Sequence, residues 1–409
     1  MKSKILCLLL SCTLLAQAAS SEKGPKPEKV SVIIKDAQTA IKNRTGQAAV
    51  QKRILQAAVR EDVSNKNRCA LYFTAAELDE SMNEIENRKA YLGQAYDTAQ
   101  FFNTLLNMYA NLELCDSVDH VPNAKGIAQP RYSKRTATLR GKYRKNILNG
   151  GKFYLKKQNT KQALRYFDTY FVYRPDGTDP ELDKVVVWAV LCSYDTKQHD
   201  KTLFYADRAI DVLDSTRRPI IQEFKTITYK ALNNDSLWLD ALRTGVRHYP
   251  AHDYFFVNLV DYYGQHKMLV DGYNLCDSLI AIYPERELYW YAKSKFALID
   301  EDFDHSIEYA DKAISLQPEH ADAHYNRAIS YLNLALIAQE NACTDMRKAQ
   351  FQKDRQHIQS LYQAAKPSME LVRQHEPNNK ERWAAGLYRI YLNLNMGKEF
   401  EEIDRLMHQ

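Results

Sequence analysis

Glycine and proline are scarce in this chain, 13 and 12 of 409 residues, and runs of alternating Val and Ile are few. So little period-two patterning and turn chemistry argues against a sandwich or barrel of β-strands. Metal-type cysteine spacing is missing, as are a glycine-rich phosphate loop and a GxSxG motif. A strong charge imbalance is missing too: 56 Lys and Arg stand against 51 Asp and Glu, for a net charge of +5. That balance says little about partners. The one continuous apolar run, Ile5 to Leu15, is too short to remain in a bilayer as a spanning helix.

What fills the chain is helical periodicity. Long 3.6-residue patterns run nearly everywhere, and they predict an all-α protein. The clearest stretch is 287 to 320, two short amphipathic helices and a stop. It predicts Trp290, Phe296 and Ala297 on one face of the first helix. Ile307, Ala310, Ala313 and Ile314 lie on one face of the second, ahead of Pro318. One such hairpin cannot bury its own apolar faces, so copies must stack. Pro250, Pro284 and Pro318 do recur at a 34-residue period and define units 219 to 252, 253 to 286 and 287 to 320. Upstream, TLFYADRAI at 202 to 210 repeats SIEYADKAI at 306 to 314, in a unit about two residues too long. The register returns at 144 to 177, where Gly150, Gly151, Tyr154, Ala163, Phe167 and Pro175 hold the spaced small, aromatic and proline positions.

These residues resemble the tetratricopeptide repeat (TPR) family, a 34-residue helical hairpin with W, L, G, Y, A, F, A and P at fixed offsets. Trp290, Ala313 and Pro318 match in one unit, and Gly151, Tyr154, Ala163, Phe167 and Pro175 in another; no unit matches every position. The resemblance covers roughly 144 to 409. It implies a right-handed solenoid of helical hairpins that binds a protein or peptide, with no reaction and no cofactor. It further implies that offsets 2, 5, 9 and 12 of each first helix face a concave groove. In the early units these are Lys145, Lys152, Trp188 and Cys192. Glu223, Ile227, Lys230, Tyr254, Val257 and Asp261 follow, then Tyr291, Lys295, Tyr325 and Ile329. Aromatic side chains there supply contact area and lysines select an acidic segment. The plainer reading is that Trp188, Tyr254 and Ile227 only complete the core between helices.

Lys2 and Lys4, the apolar run and Ala16-Gln17-Ala18 have the order of a secretory signal, residues 1 to 18, with cleavage near Ala18. Leu9-Leu10-Ser11-Cys12 also resembles a bacterial lipobox, in which Cys12 would carry lipid and tether the protein to a membrane. Either outcome is similar to exported TPR proteins of Gram-negative envelopes and predicts a periplasmic or envelope location. Residues 19 to 29 read as a flexible tether. Residues 30 to 143 read as a helical N-terminal region, with helical segments at Ala70 to Leu78, Asn83 to Phe102 and Leu105 to Val118. A degenerate repeat at 92 to 125 would set Cys115 where Cys276 lies; both read as core thiols.

Between His120 and Phe167 there is no acidic residue. Arg131, Lys134, Arg135, Arg140, Lys142 and Arg144 lead a basic region from 125 to 165, suited to an anionic glycan or lipid. Nucleic acid is a weaker candidate for an exported protein. The bland alternative pairs Arg140 and Arg144 with the Glu-rich stretch from Glu77 to Glu86.

In the array from 144 to 409, about 25 residues are inserted near 333 to 358. Equal lengthening of two helices, by about 12 residues or ~18 Å each, predicts a projecting arm. It would serve as a docking device or as a cap over the last core, and Pro367 would kink it. His248 and His252, and His320 and His324, have metal-like spacing, but Pro250 breaks the first pair's helix and the second lacks a zinc-protease glutamate. No metal site is assigned.

Overall fold

The computed structural model describes residues 27–122, 125–173 and 179–408. Expectations for the signal segment, Cys12, most of the tether and Pro175 lie outside the described residues. Among the described residues there are eighteen α-helices and no strand. They form two compact units, divided between Val212 and Leu213.

The first unit holds α1 (Val30–Asn43), α2 (Gln47–Ala58), α3 (Asn65–Tyr91), α4 (Thr98–Asp119), α5 (Ser133–Lys156), α6 (Thr160–Val172), α7 (Leu182–Asp195) and α8 (His199–Val212). The expected break between Leu78 and Asn83 does not occur, because α3 runs unbroken through it. The interruption falls later, where Gly93 takes a φ of 67° and Asp97 caps α4 by accepting from the Gln100 amide at 2.9 Å. A 92–125 hairpin is therefore overturned: that span contains one helix, α4, whose antiparallel partner is α3. The boundary placed at 143/144 lies inside α5.

Gly150 and Gly151 sit in α5 where α6 approaches. A Cβ on either would come within 2.4 Å of Tyr166 or 2.5 Å of Phe167, so only glycine lets those buried rings close the hairpin. Tyr166 also donates its hydroxyl to the Phe102 carbonyl oxygen at 2.6 Å, joining α6 to α4.

The second unit holds α9 (Arg218–Ala231), α10 (Asp235–His248), α11 (Asp253–Gln265), α12 (Leu269–Ile282), α13 (Glu287–Ile299), α14 (Phe303–Leu316), α15 (Ala321–Glu340), α16 (Ala349–His375), α17 (Lys380–Asn393) and α18 (Gly397–Met407). Each packs on the next, and α11, α13, α15 and α17 also pack in succession as first helices. The 34-residue period is built into the turns. Within hairpins, Asn233, Lys267 and Glu301 each take a left-handed φ, between 52° and 61°. Asn234 and Asp302 then cap the following helix through their side chains. Between hairpins, α10, α12, α14 and α16 stop two residues short of Pro250, Pro284, Pro318 and Pro377. The residue before a proline is pushed out of the helical region, so the stop is local in origin.

Phe255, Phe256, Leu259, Cys276, Tyr289 and Phe296 form the core of two successive hairpins. Burying a ring such as Phe296 contributes about 1.5–3 kcal/mol. α13 departs from expectation at one position: Phe296 and Ala297 are buried as the pattern predicts, but near its start Tyr289 is the buried ring, while Trp290 is half-buried and donates its indole N–H to the Pro284 carbonyl at 2.8 Å. Tyr289 fills the space beside Phe256, 4.8 Å between centroids.

The insertion is shared unequally. α15 has 20 residues and α16 has 27, against 13 in α13 and 14 in α14, so the second helix takes most of it. α16 continues through Pro367 as one helix. Leu332, Ala335, Leu361 and Tyr362 bury the base of the arm in a core shared with Trp383 and Leu387 of α17. Its far end, around 343 to 357, is largely exposed.

Candidate functional site

In the second unit the expected groove residues are mostly engaged with neighbouring side chains. Glu223 of α9 meets His252, the residue before α11, at 2.6 Å. Asp261 of α11 meets Lys295 of α13 at 2.6 Å. Tyr291 lies against His320, 5.0 Å between ring centroids, and burial pushes its phenol pKa up. The Tyr325 ring carries the Arg382 guanidinium 4.5 Å above it, and Arg382 also bonds Asp322 and Glu376. These contacts link consecutive first helices, so the face they line is a paired ladder of charges and rings.

Other residues fall elsewhere. Lys230 reaches over the Trp238 ring of α10, 4.6 Å away, toward the second helix of its own hairpin. Ile227 and Ile329 are half-buried, the latter against the last core, while Tyr254 packs on Phe255 and Val257 is exposed. Cys192 is fully buried and burial pushes its thiol to about 12, so it belongs to the core and not to a groove. Cys115 and Cys276 are buried thiols as well.

In the first unit, Lys145 and Lys152 line a recess of about 220 Å³ together with Arg144, Leu148, Asn149, Tyr170 and Glu181, and Trp188 lies next to Lys152. Arg144 is fixed: it donates to the Tyr173 carbonyl at 2.9 Å and to Asp179 at 2.5 Å, and lies 3.9 Å over the Tyr170 ring. Lys152 meets Glu181 at 3.3 Å and stands over the half-buried Trp188 ring at 5.4 Å. Lys145 and Asn149, one turn apart on α5, are exposed and have no side-chain partner among the described residues. The recess thus offers an uncommitted ammonium and amide beside cations already held in place.

Part of the basic region is neutralised, though not by the pairs expected. Arg140 bonds Asp116 of α4 at 2.5 Å with Glu113 at 3.6 Å, and Arg144 bonds Asp179, so neither reaches the Glu-rich part of α3. That part is met by Arg135, through Glu77 at 3.3 Å, and by Lys142, through Glu80 at 2.6 Å and Glu84 at 3.1 Å. The reason is register: Arg135 and Lys142, seven residues apart, share the face of α5 toward α3, while Arg140, two residues before Lys142, lies about 200° around the helix and faces α4. Arg131 and Lys134 are exposed and unpaired among the described residues.

The histidine pairs do not converge. His320 caps α15 by accepting from the Ala323 amide, and His324 is bonded to Ser368 and to the Pro318 carbonyl. No group of three His, Cys, Asp or Glu is placed to hold a metal among the described residues. A feature that sequence reasoning missed is the buried Asp79 on α3. One of its oxygens accepts from Asn111 at 2.7 Å and from Gln51 at 3.0 Å, and burial pushes its pKa to about 7. Nothing in the spacing of α3 sets this carboxylate apart from its solvated neighbours.

No protein-family model matches the sequence, and no curated protein matches it. Solved structures do. The C-terminal part of a TPR repeat-containing protein from Cytophaga hutchinsonii is 10% identical with a TM-score of 0.44, covering 63% of this chain and 95% of that one. A tetratricopeptide repeat protein from Parabacteroides merdae is 13% identical with a TM-score of 0.36, covering 66% of this chain and all of that one. A TPR repeats protein from Bacteroides fragilis is 12% identical with a TM-score of 0.30, covering 64% and 98%. On the 34-residue pitch, the repeated turns and the stacked hairpins of its own helices, the chain is an all-α, TPR-like helical-repeat protein.

Proposed function

We propose that this protein is an exported, non-catalytic scaffold that holds a protein or peptide segment against the first-helix face of its hairpins. The observation that carries the reading is the recess on α5, where Lys145 and Asn149 are exposed beside the ordered Arg144 and Lys152. An acidic segment suits it, since an ordered cationic recess gives specificity and a fast encounter. The paired ladder of the second unit offers Tyr254, Tyr291 and Tyr325 as contact area, with fewer free charges. Export rests on the leader-like first 18 residues, with cleavage near Ala18 or lipid on Cys12 as the two forms. The intact mass of the protein recovered from cells separates these two forms.

In-cell crosslinking of the tagged protein, followed by mass spectrometry, tests the scaffold. The comparison is a variant with Lys145→Glu, Lys152→Glu and Tyr291→Ala. One envelope protein captured by the native chain and lost from the variant is the expected result. Capture that ignores the variant sinks the groove assignment.

A second reading, binding of an anionic glycan or lipid through residues 125 to 165, draws its support from Arg131 and Lys134. Affinity that falls steeply with added salt would favour it over an aromatic-anchored face.

A further inference from the structure

The hairpin tips of the first unit lie on one edge. Phe102, just past the α3–α4 turn, stacks on Phe153 at 4.6 Å and accepts from Tyr166 at 2.6 Å, which sets that turn beside the α5–α6 turn. Thr160, at the start of α6, donates to Asp195 at the end of α7 at 2.5 Å, which brings in the α7–α8 turn. The α3–α4 turn presents apolar surface outward: Tyr91 is 90% exposed, Leu92 56% and Tyr96 38%. Along the same edge stand Arg88, Lys156, Lys157, Lys161 and Lys197, all exposed and without a side-chain partner among the described residues. The nearby acids are fewer and partly used. Asp97, which caps α4, Asp195, which accepts from Thr160, and Asp200 at the start of α8 are exposed acids, while Glu86 is buried and paired with Lys89.

We propose that this edge docks on an anionic lipid surface, with Tyr91, Leu92 and Tyr96 entering the interfacial layer and the surrounding lysines and arginine meeting phosphate headgroups. The argument is charge complementarity joined to side-chain type. Tyrosine is enriched at the membrane–water boundary because its ring is apolar and its hydroxyl is polar. Unpaired basic residues held near an anionic surface add attraction that sums over the set. A soluble partner would be met equally by the cations alone; the exposed Tyr-Leu tip is what a bilayer uses. No described helix is long and apolar enough to cross a membrane, so the contact is peripheral. This edge is separate from the Lys145 recess, so the proposal does not depend on the scaffold reading; through Lys156, Lys157 and Lys161 it narrows the second reading to this edge, and the Lys134→Glu variant tells the two apart.

The test is sedimentation of the purified protein with phosphatidylcholine vesicles, with and without phosphatidylglycerol. The expected result is binding to the anionic vesicles only. The double change Lys156→Glu and Lys157→Glu should weaken it by about tenfold or more, and Leu92→Ser should weaken it too. A Leu92→Trp variant should show a blue-shifted emission on adding anionic vesicles, which a merely electrostatic contact would not produce. Lys145→Glu should leave vesicle binding intact, so failure here and failure of the groove are distinguishable. The positions are exposed, and circular dichroism checks that the variants stay folded. Absence of binding to anionic vesicles overturns the proposal. So does binding that survives the double change but is lost in Lys134→Glu. Equal competition by a soluble polyanion, with no emission shift at Leu92→Trp, assigns the edge to an acidic macromolecule and overturns it as well.

Discussion

Asp261 and Lys295 stand 34 residues apart in the chain and close an ion pair of 2.6 Å between α11 and α13. One repeat of sequence thus becomes one step between neighbouring first helices. The Lys295 side chain is 28% exposed and that of Asp261 51%, so water screens the pair. A double-mutant cycle with Asp261→Ala and Lys295→Ala is expected to give a coupling of about 0.2–1 kcal/mol, shrinking in high salt. A larger coupling, insensitive to salt, would mean that charge and not packing sets the register of these repeats.

Packing should matter more. A Cβ on Gly272 of α12 would approach three atoms of the Phe296 ring within 2.7 Å, and that ring is fully buried. Gly272→Ala is expected to destabilise the second unit by about 1–3 kcal/mol, the usual cost of overpacking. Chemical denaturation measures it, and a neutral result would show that α12 and α13 can separate without cost.

Repeated turns predict a repeated cost. Asn234 follows the left-handed Asn233 and accepts from the Leu237 amide at 3.1 Å. Asn234→Ala should cost about 1 kcal/mol, since the amide loses its cap, whereas Asn234→Asp should cost little. Thermal melts of the two variants decide whether the cap or only the turn geometry is used.

Asp79 predicts a pH dependence. Burial raises its pKa in the folded protein to about 7, while in the unfolded chain it reverts to about 4. Between those values the folded state keeps a proton that the unfolded state has released, so this group's contribution to stability falls as pH rises through the window. Asp79→Asn keeps an oxygen acceptor for Asn111 and Gln51 and removes the charge. Relative to the native chain it should be roughly neutral at pH 4 and stabilising at pH 8, by up to about 4 kcal/mol. An equal effect of the substitution at both pH values would show that Asp79 is ionised throughout.

How much was legible in advance varies with the distance over which each feature is decided. The proline stops, the Gly150-Gly151 close approach and the all-α class could be read because they depend on backbone sterics within one hairpin. Trp290 was set on the buried face because a helical period locates a stripe to within a residue. Tyr289 holds that place because Phe256, a full unit earlier, leaves room for it.

The candidate site was less legible than the fold. First-helix offsets point to Lys145 and Lys152, but Cys192 turns inward and Lys230 turns to its own hairpin. Equal basic residues on α5 meet different fates: Arg140 and Arg144 are locked by Asp116 and Asp179, while Lys145 is left open. Sequence alone determined the unit, a hairpin of two helices with its turn and its stop, since those are local consequences of φ preference, capping and apolar period. Only the tertiary structure decided which charges remain free, because an ion pair depends on the side chains that neighbouring helices bring within about 4 Å, and no local pattern contains them.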